Sequence, residues 1–157
     1  MSGAELTWLA SELLADYAES LDAGRFDEWL QLFAEDCRYD VVPRENVEQG
    51  LPVSLILCTS KAQMRDRIMA LREANEYNLH YPRHLVSSIK ARAVADDMVE
   101  IGANYAVFQT NLEGQSRLFS VGRYQARARI ENGRLLLREQ RVIVDTYSVP
   151  TLLAMPL

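Results

Sequence analysis

The two histidines of the chain, His80 and His84, are the first residues whose type and spacing could do chemistry. They lie four residues apart in the stretch HYPRHLVSSI. On a helix this spacing would bring both rings to one face, where they could bind a metal ion. Pro82 argues against a helix, because proline removes a backbone donor and disfavours helical geometry in the preceding residue. On a strand the two Cα atoms lie about 13 Å apart, so we predict that one histidine lines the start of a strand and the other is packed or hydrogen-bonded at an interface.

The same residue types decide what redox chemistry the chain could support. Two histidines and two cysteines, Cys37 and Cys58, show no C-x-H or C-x-x-H arrangement, so they cannot supply the ligands of a Rieske cluster by themselves. An iron site of two histidines and one carboxylate would need the histidines to converge, which a strand disfavours. The glycines form neither a dinucleotide-binding nor a Walker pattern, and a G-x-S-x-G elbow is missing. We predict no cofactor or metal in this chain and reduced cysteines in its core.

Proton-transfer chemistry stays open to residues that line a pocket. A curved sheet closed by helices forms a cone, in which one carboxylate and one tyrosine can move a proton. The candidates are Tyr17, Asp36, Tyr39, Asp40 and His84. In the interpretation that we prefer, the tyrosines fill the core and the two aspartates lie at the solvated edge of a strand.

Amphipathic helices must position the first of these residues. From Glu5 to Leu21 apolar residues recur at helical spacing, and Gly24 follows as a helix stop. The pattern predicts a second helix over Phe26 to Ala34. Ser60 and Gln63 have the spacing of a capping box, which predicts a third helix from Lys61 to Ala74.

Two short strands and a loop are predicted between the second and third helices. Asp36 to Val41 alternates in polarity like a half-buried strand, and Pro43 ends it. Arg44 to Gly50 is polar and reads as a loop. Val53 to Cys58 is almost continuously apolar and is a second strand candidate.

Long strands with short turns fill the second half of the chain. The Asn132-Gly133 dipeptide lies between two of them and is a strong hairpin signal. The predicted strands run over Arg83 to Arg92, Met98 to Asn111, Ser116 to Ile130 and Arg134 to Thr146. Helices followed by hairpin-linked strands predict an α+β domain, residues 1–157, in which three N-terminal helices cover one face of a curved antiparallel sheet.

Two surface features point to protein contacts. In the strand from Ser116, one predicted face carries Arg117, Arg123, Gln125, Arg127 and Arg129, and the other carries Leu118, Tyr124, Ala126, Ala128 and Ile130. An arginine-rich face is often only solvated, yet arginine is also enriched at interfaces, for which we single out Arg123 and Arg127. The C-terminal tail, Tyr147 to Leu157, has no charged side chain. We expect its apolar residues to dock on their own domain or on a partner, and these are Leu152, Leu153, Met155 and Leu157.

Composition limits the remaining classes of function. The 157 residues carry a net charge of -5, which lacks the electrostatic footprint of a nucleic-acid-binding domain. No apolar run is long enough to span a bilayer, and the N-terminus does not resemble a signal peptide. We therefore expect a cytoplasmic protein without nucleic-acid or membrane partners.

The order of elements and several strings resemble the small (β) subunits of aromatic-ring-hydroxylating dioxygenases. Their fold is the cone-shaped, cystatin-like α+β roll shared with nuclear transport factor two, scytalone dehydratase and ketosteroid isomerase. The strings are FAEDCRYDV (Phe33 to Val41), DRIMALREAN (Asp66 to Asn75), YPRHLVSSI (Tyr81 to Ile89) and REQRVIVDTY (Arg138 to Tyr147). LREAN, the Arg83-His84 pair and the ending LLAMPL look most like the small subunits of terephthalate dioxygenases.

The resemblance implies an assembly role. In that family the Rieske 2Fe-2S cluster and the mononuclear Fe(II) belong to the large α subunit, which receives electrons from NADH or NADPH through a reductase or ferredoxin. Three β subunits support three α subunits in a hexamer. The family's strand start lies near subunit contacts, which we carry over to Tyr81, Arg83 and His84 alone, and we carry over no catalytic residue.

Three hypotheses follow. The first is a non-catalytic β subunit of a dioxygenase that converts an aromatic carboxylate, such as terephthalate or benzoate, to a cis-dihydrodiol. The second is a stand-alone isomerase, dehydratase or cyclase of the same fold that uses Asp36, Tyr39, His84 or Tyr17 in the cone. The third is a module that only binds a small hydrophobic ligand.

Overall fold

The computed structural model describes residues 1–75, 80–145 and 156–157, and it has the predicted α+β architecture. The helices are α1 (Gly3–Asp22), α2 (Phe26–Leu30), α3 (Arg44–Glu48) and α4 (Lys61–Asn75). The strands are β1 (Phe33–Pro43), β2 (Ile56–Cys58), β3 (Tyr81–Ala93), β4 (Met98–Thr110), β5 (Ser116–Glu131) and β6 (Arg134–Val144). They form one sheet in the order β2-β1-β6-β5-β4-β3. Its inner face shares one hydrophobic core with the helices.

Helix α1 begins at a full capping box. The Ser2 hydroxyl accepts a hydrogen bond from the Glu5 backbone N–H at 3.2 Å, and Glu5 accepts one from the Ser2 N–H at 2.6 Å. The Ser2 contacts lower the pKa of the Glu5 carboxyl. The predicted apolar stripe is confirmed, because the buried residues of α1 include Leu6, Ala10, Leu13, Leu14, Tyr17 and Leu21.

The second predicted helix is too long, because strand pairing takes its last residues. Helix α2 ends at Leu30, and Phe33 begins β1, where it pairs with Leu137 of β6. The Leu137 N–H donates to the Leu32 carbonyl at 2.8 Å. These cross-strand bonds outweigh the local helical spacing of Phe33 and Ala34.

The predicted loop after Pro43 is also wrong, since Arg44–Glu48 forms helix α3. Pro43 stands at its N-cap, where a missing N–H costs nothing, and Gly50 follows its end at φ +67°. The second strand is shorter than predicted and covers only Ile56–Cys58. The capping residues predicted for the next helix are confirmed, because the Gln63 N–H donates to the Ser60 hydroxyl at 3.2 Å before α4.

The four long strands match their predicted ranges to within a few residues. Asn132 and Gly133 have φ of 53° and 75°, the left-handed conformations of a tight hairpin, and Glu131 pairs with Arg134. Four of the five strand pairs among the described residues are antiparallel. The exception is the pair of β1 and β6, which is parallel.

A bulge in β5 changes which side chains face the helices. Val107 of β4 pairs with Ser120, but the next residue, Phe108, pairs with Leu118. Phe119 is therefore an extra residue in β5, and it is buried. Because side chains alternate along a strand, the extra residue exchanges the faces of the residues that precede it.

The predicted assignment of faces is therefore wrong at Arg117 and Leu118, which precede the bulge. Arg117 pairs with the buried Gln109, whereas Leu118 is 49% exposed on the outer face. Beyond the bulge the alternation is confirmed: Arg123, Gln125 and Arg127 are exposed, and Tyr124, Ala126 and Ala128 are buried.

Among the described residues, no helix combines the length and apolar character needed to cross a bilayer. Cys37 and Cys58 are free and buried.

Gly122 is the glycine at which the neighbouring strand comes closest. A Cβ added there would collide with the Ile143 carbonyl oxygen and lie 3.0 Å from Cε1 of Tyr105. Gly122 pairs with Tyr105 on one side and Val144 on the other. Only glycine fits this position, because any side chain would push β6 away from β5.

We expect Gly122→Ala to lower the free energy of unfolding by at least about 2 kcal/mol, because it overpacks the β5–β6 contact. Gly102→Ala is the matched control, since an added Cβ there meets no atom within 4 Å. That control should keep or slightly raise stability, by up to about 1 kcal/mol. Urea unfolding followed by circular dichroism measures both, and equal effects of the two changes would contradict the close-approach explanation.

Candidate functional site

The cone between sheet and helices is filled, and Leu157 is the residue that fills its centre. Its side chain is completely buried. Tyr17 from α1 donates a hydrogen bond to the Leu157 main-chain oxygen at 2.5 Å, and Tyr39 from β1 donates to the same oxygen at 3.3 Å. The Tyr39 hydroxyl also accepts the Leu157 N–H at 2.9 Å. Two phenol groups therefore converge on one oxygen.

Aromatic rings surround this contact. Trp29 meets Tyr17, Phe33 and Tyr39 edge to face, with ring centroids 5.7, 4.9 and 5.6 Å apart. Tyr124 lies edge-on to Tyr17 at 5.6 Å. Such pairs stabilise a core beyond their buried area. The preferred interpretation of Tyr17 and Tyr39 as core residues is therefore confirmed, although their hydroxyls have a specific partner.

Burial keeps these phenols protonated. It raises the pKa of the Tyr17 and Tyr124 hydroxyls well above the ordinary value, and neighbouring tyrosines add to the effect. Burial likewise raises the pKa of Tyr39 and of Tyr105, which stacks on Tyr124 at 4.7 Å. The cone thus offers neutral hydrogen-bond donors.

Several polar groups inside the cone have no hydrogen-bond partner among the described residues. They are Nε1 of Trp29, the hydroxyl of Tyr124 and both amide atoms of Gln140. All three side chains are at least 98% buried. Buried polar atoms are nearly always satisfied by protein or water, so these groups are suited to a polar guest. The space left beside Pro156 is about 10 Å³, enough for one water molecule at most.

Two kinds of interaction hold Leu157 in the cone, the burial of its side chain and its hydrogen bonds to tyrosines. Burying a leucine side chain is worth about 1.5–3 kcal/mol. Each hydrogen bond to a tyrosine contributes about 1 kcal/mol. With three such hydrogen bonds, the two contributions stabilise the docked residue by roughly 4.5–6 kcal/mol before the conformational entropy of the segment is subtracted.

Neither candidate aspartate of β1 faces the cone. Asp36 has an exposed carboxylate, 2.8 Å from Arg138. Asp40 contradicts the expectation of a solvated edge, because its side chain is only 6% exposed. It lies on the outer side of β1, with Arg38 and Arg141 each 3.6 Å away. The pairing of a carboxylate with Tyr39 that proton transfer would need is therefore not formed by these residues.

His84 is joined to Asp22, the last residue of α1. The His84 backbone N–H donates to both Asp22 carboxylate oxygens at 3.0 Å, and ring Nδ1 lies 2.6 Å from Oδ1. A carboxylate only accepts hydrogen bonds, so Nδ1 carries the hydrogen. The imidazole is completely buried, and its Nε2 has no partner among the described residues. This pair ties the start of β3 to the end of α1.

The outer face of the sheet carries a ladder of alternating charges. Arg92, Glu100, Arg127 and Glu139 lie in one row across β3, β4, β5 and β6. Glu100 accepts from Arg92 at 2.7 Å and from Arg127 at 3.2 Å. These residues line a groove of about 1030 Å³. The ion pairs that Arg127 makes within the chain account for its position on this face. Arg123 has no ion pair with any residue in the described part of the chain.

At the other end of the same face lies an apolar patch, which we call the β3–β5 patch. Its members are Tyr81, Leu85, Phe108 and Leu118, exposed by 62%, 53%, 36% and 49%. Arg83 pairs with Phe108, which pairs with Leu118, so all share one face. Exposed apolar clusters of this kind mark contact sites.

The predicted interface residues separate into three groups. Tyr81, Arg83, Arg123 and Arg127 are exposed on the sheet, whereas Leu152, Leu153 and Met155 lie outside the described residues. His84 is buried within its own chain. Its assignment to a subunit contact stays a prediction, in which His84 would support the contact by fixing the position of β3. Leu157 docks inside its own domain, the first of the two places expected for the tail.

No group of three or more His, Cys, Asp or Glu residues within residues 1–75, 80–145 and 156–157 could hold a metal ion.

Comparison with known proteins identifies the family. The profile described as "Ring hydroxylating beta subunit" matches residues 17–151. The chain belongs to this family. It is 39% identical to the anthranilate 1,2-dioxygenase small subunit of Burkholderia cepacia, over 96% of this chain and 94% of that one. It is 29% identical to the terephthalate 1,2-dioxygenase terminal oxygenase component subunit beta 2 of a Comamonas species, covering 91% and 93%. The likeness to terephthalate dioxygenases is therefore one among several.

A solved structure supports the same placement. A beta subunit assigned to an aromatic-ring-hydroxylating dioxygenase of Novosphingobium aromaticivorans superposes with a TM-score of 0.84 at 38% identity, covering 94% of each chain. The ring-hydroxylating beta subunit described here thus has the cone-shaped fold of nuclear transport factor two.

Sequence reasoning missed the residues that come together only through the fold. Asp22 lies 62 positions from His84, and Leu157 lies 140 positions from Tyr17. Neither pair has a local motif. The only available signal for Leu157 was the apolar character of the tail, which predicted docking without its place.

We expect Asp22→Ala to lower the free energy of unfolding of this beta subunit by about 3 kcal/mol, because it leaves buried donors of His84 unpaired. Asp36→Ala removes an exposed ion pair and should change stability by less than about 1 kcal/mol. Chemical unfolding of both variants is the measurement. A larger loss for Asp36→Ala would contradict the structural role of the Asp22–His84 pair.

Stability should also fall in alkali. In the unfolded chain a tyrosine loses its proton above about pH 10, whereas buried Tyr17 and Tyr39 keep theirs, so the unfolded state binds fewer protons. Each should lower the free energy of unfolding by up to about 1.4 kcal/mol per pH unit above pH 10. Tyr17→Phe should flatten this dependence, measured by urea unfolding from about pH 8 to pH 11. Tyr81→Phe, at an exposed tyrosine, is the control, and an equal flattening there would refute the assignment.

Proposed function

We propose that this beta subunit is a structural, non-catalytic component of a Rieske non-haem iron dioxygenase that acts on an aromatic carboxylate. The partner α subunit would form the cis-dihydrodiol, with electrons from NADH or NADPH through a reductase or ferredoxin. Three such chains would support three α subunits in a cytoplasmic hexamer. The relatives named for anthranilate and terephthalate dioxygenation support an aromatic acid as the substrate.

The single observation that carries the assembly role is the β3–β5 patch. Three strands present their apolar side chains outward at the sheet edge, with Arg83 among them. Arginine beside aromatic and aliphatic anchors is typical of interface centres. Strand β3 is moreover a 13-residue edge strand, and an exposed edge of this length usually needs a cover.

The donor set of the described residues supports placing the metal chemistry in the partner. His84 is buried against Asp22, and the cysteines are buried apart from any histidine pair. Burial raises the pKa of the Cys37 and Cys58 thiols, whereas cluster ligands must be thiolates. These residues do not fit a Rieske cluster or a mononuclear iron.

The alternative is a stand-alone isomerase, dehydratase or cyclase of the same fold. The phenols of Tyr17 and Tyr39 favour it, since they converge on one oxygen. Against it stand the outward positions of Asp36 and Asp40 and the presence of Leu157 where a substrate would lie.

A charged side chain placed in the β3–β5 patch should weaken assembly. We expect Leu118→Glu to weaken association with the large subunit by about thirtyfold or more, because a carboxylate would be buried at the contact. The chain is co-expressed with the genes that neighbour its own, the proteins that co-purify with it are identified, and the mass of the complex is measured by light scattering.

Leu57→Glu supplies a matched control. Leu57 is 48% exposed, as Leu118 is, but it lies on β2 at the opposite edge of the sheet. The control should keep the complex. Loss of assembly in both variants, or in neither, would remove the patch as the contact. Failure of any iron–sulfur partner to co-purify, together with turnover of a small molecule by the isolated chain, would favour the stand-alone enzyme.

A further inference from the structure

We infer that the cone is a binding site for a small apolar carboxylic acid, and that Leu157 occupies the place of this ligand. The inference is independent of the assembly role, because it concerns the inner face of the sheet. It starts from what Leu157 presents to the cone, which is a branched apolar side chain joined to an oxygen that accepts two phenol hydrogen bonds.

The lining of the cone fits a polar guest better than a hydrocarbon. An apolar filler would remove the acceptor that the Leu157 oxygen provides for the hydroxyls of Tyr17 and Tyr39. The amide of Gln140 and the indole N–H of Trp29 already have no partner at hydrogen-bond distance among the described residues. Leaving a buried donor without a partner is costly. A ligand oxygen at the position of the Leu157 oxygen would satisfy both phenols.

The aromatic walls define the body of the ligand. Rings of Trp29, Phe33 and Tyr124 stand edge-on to Tyr17 or Tyr39 around the seat of Leu157. A flat aromatic ring or a branched aliphatic chain packs well against such walls. A core cavity of about 150 Å³ is large enough to bind benzene. The seat of one leucine therefore suits a single-ring acid.

A cation at the rim favours a carboxylate over a neutral carbonyl. Arg67 of α4 lines the space beside Tyr39 and Pro156. Burial raises the pKa of the nearby Cys58 thiol, and the positive charge of Arg67 acts in the opposite direction. A positive charge close enough to affect the pKa of Cys58 also attracts an anion bound to the two phenols. A buried carboxylate needs such a charge nearby.

The test displaces Leu157 in the full chain and measures binding of benzoate by titration calorimetry. Leu157→Lys cannot bury its ammonium group in the cone and so empties the seat. We expect it to bind benzoate with a dissociation constant of about 1 mM or lower, at least about tenfold tighter than the unchanged chain. Leu112→Lys adds the same charge at a 65% exposed leucine and should bind like the unchanged chain.

A second substitution separates the phenol contact from simple filling of a cavity. Adding Tyr17→Phe to Leu157→Lys should raise the dissociation constant for benzoate at least about tenfold and leave that for toluene unchanged. Benzamide, which has the carbonyl without the charge, should bind at least about tenfold more weakly than benzoate. Leu157→Arg, whose guanidinium group cannot be buried in the cone either, replaces Leu157→Lys if circular dichroism shows that the latter is unfolded.

Three results would overturn the inference. The first is no benzoate binding by a folded Leu157→Lys or Leu157→Arg chain. The second is equal affinity for benzoate, benzamide and toluene, and the third is insensitivity of benzoate binding to Tyr17→Phe. None of these three results would change the outcome of the assembly test, because that test depends on residues of the outer face of the sheet.

Discussion

Strands β4 and β5 can bury their inner face only if the sheet bends toward the helices. A strand of 16 residues such as β5 is about 50 Å long, whereas the 20 residues of α1 extend about 30 Å. Phe119 and Gly122 make this bend possible, the first as a bulge and the second by letting β6 approach closely. The bulge also turns Leu118 to the outside, beside Phe108. The cone and the β3–β5 patch therefore have a common structural origin.

The cone differs from an ordinary apolar core in the number of polar groups that it encloses. The main chain of Leu157 provides hydrogen-bond partners for Tyr17 and Tyr39, and Gln140 and Trp29 keep polar atoms that have no partner among the described residues. A core selected only for stability would exchange such groups for apolar ones of equal size. Their presence is the physical reason to regard the cone as a site that can accept a guest.

The parts of the fold that local spacing determines could be predicted from the sequence. The apolar stripe of α1, the Ser60–Gln63 cap and the Asn132-Gly133 turn each depend on residues within a few positions of one another, and all three are confirmed. Errors arose where distant pairing decides the outcome. Phe33 has helical neighbours but pairs with Leu137, 104 residues away, and the bulge that turns Leu118 outward exists only relative to β4.

The candidate site was less predictable for the same reason. Residue types identified Tyr17 and Tyr39 correctly as core residues, because tyrosine is an amphipathic residue of protein cores. His84 was assigned to a subunit contact, and its burial against Asp22 of its own chain was not predicted. Their partners, Leu157 and Asp22, lie far away in the chain and carry no spacing signal. Because side chains alternate along β1, Asp40 lies on the face opposite to that of Tyr39. Its burial depends on the guanidinium groups of Arg38 and Arg141, and these are brought to it by the tertiary structure.

Helix α1 connects the two sites, since Tyr17 contacts Leu157 and Asp22 holds His84 behind the β3–β5 patch. The helix is nevertheless fixed by its own buried stripe from Leu6 to Leu21. Close-packed interiors do not deform continuously, so losing one contact of Tyr17 does not by itself move the helix. Removing Asp22 acts differently, because it frees the backbone N–H of His84 on β3, which is the edge strand of the sheet formed by the described residues. The inner site can therefore change its occupant while the outer surface keeps its shape, whereas the outer surface depends directly on the Asp22–His84 pair.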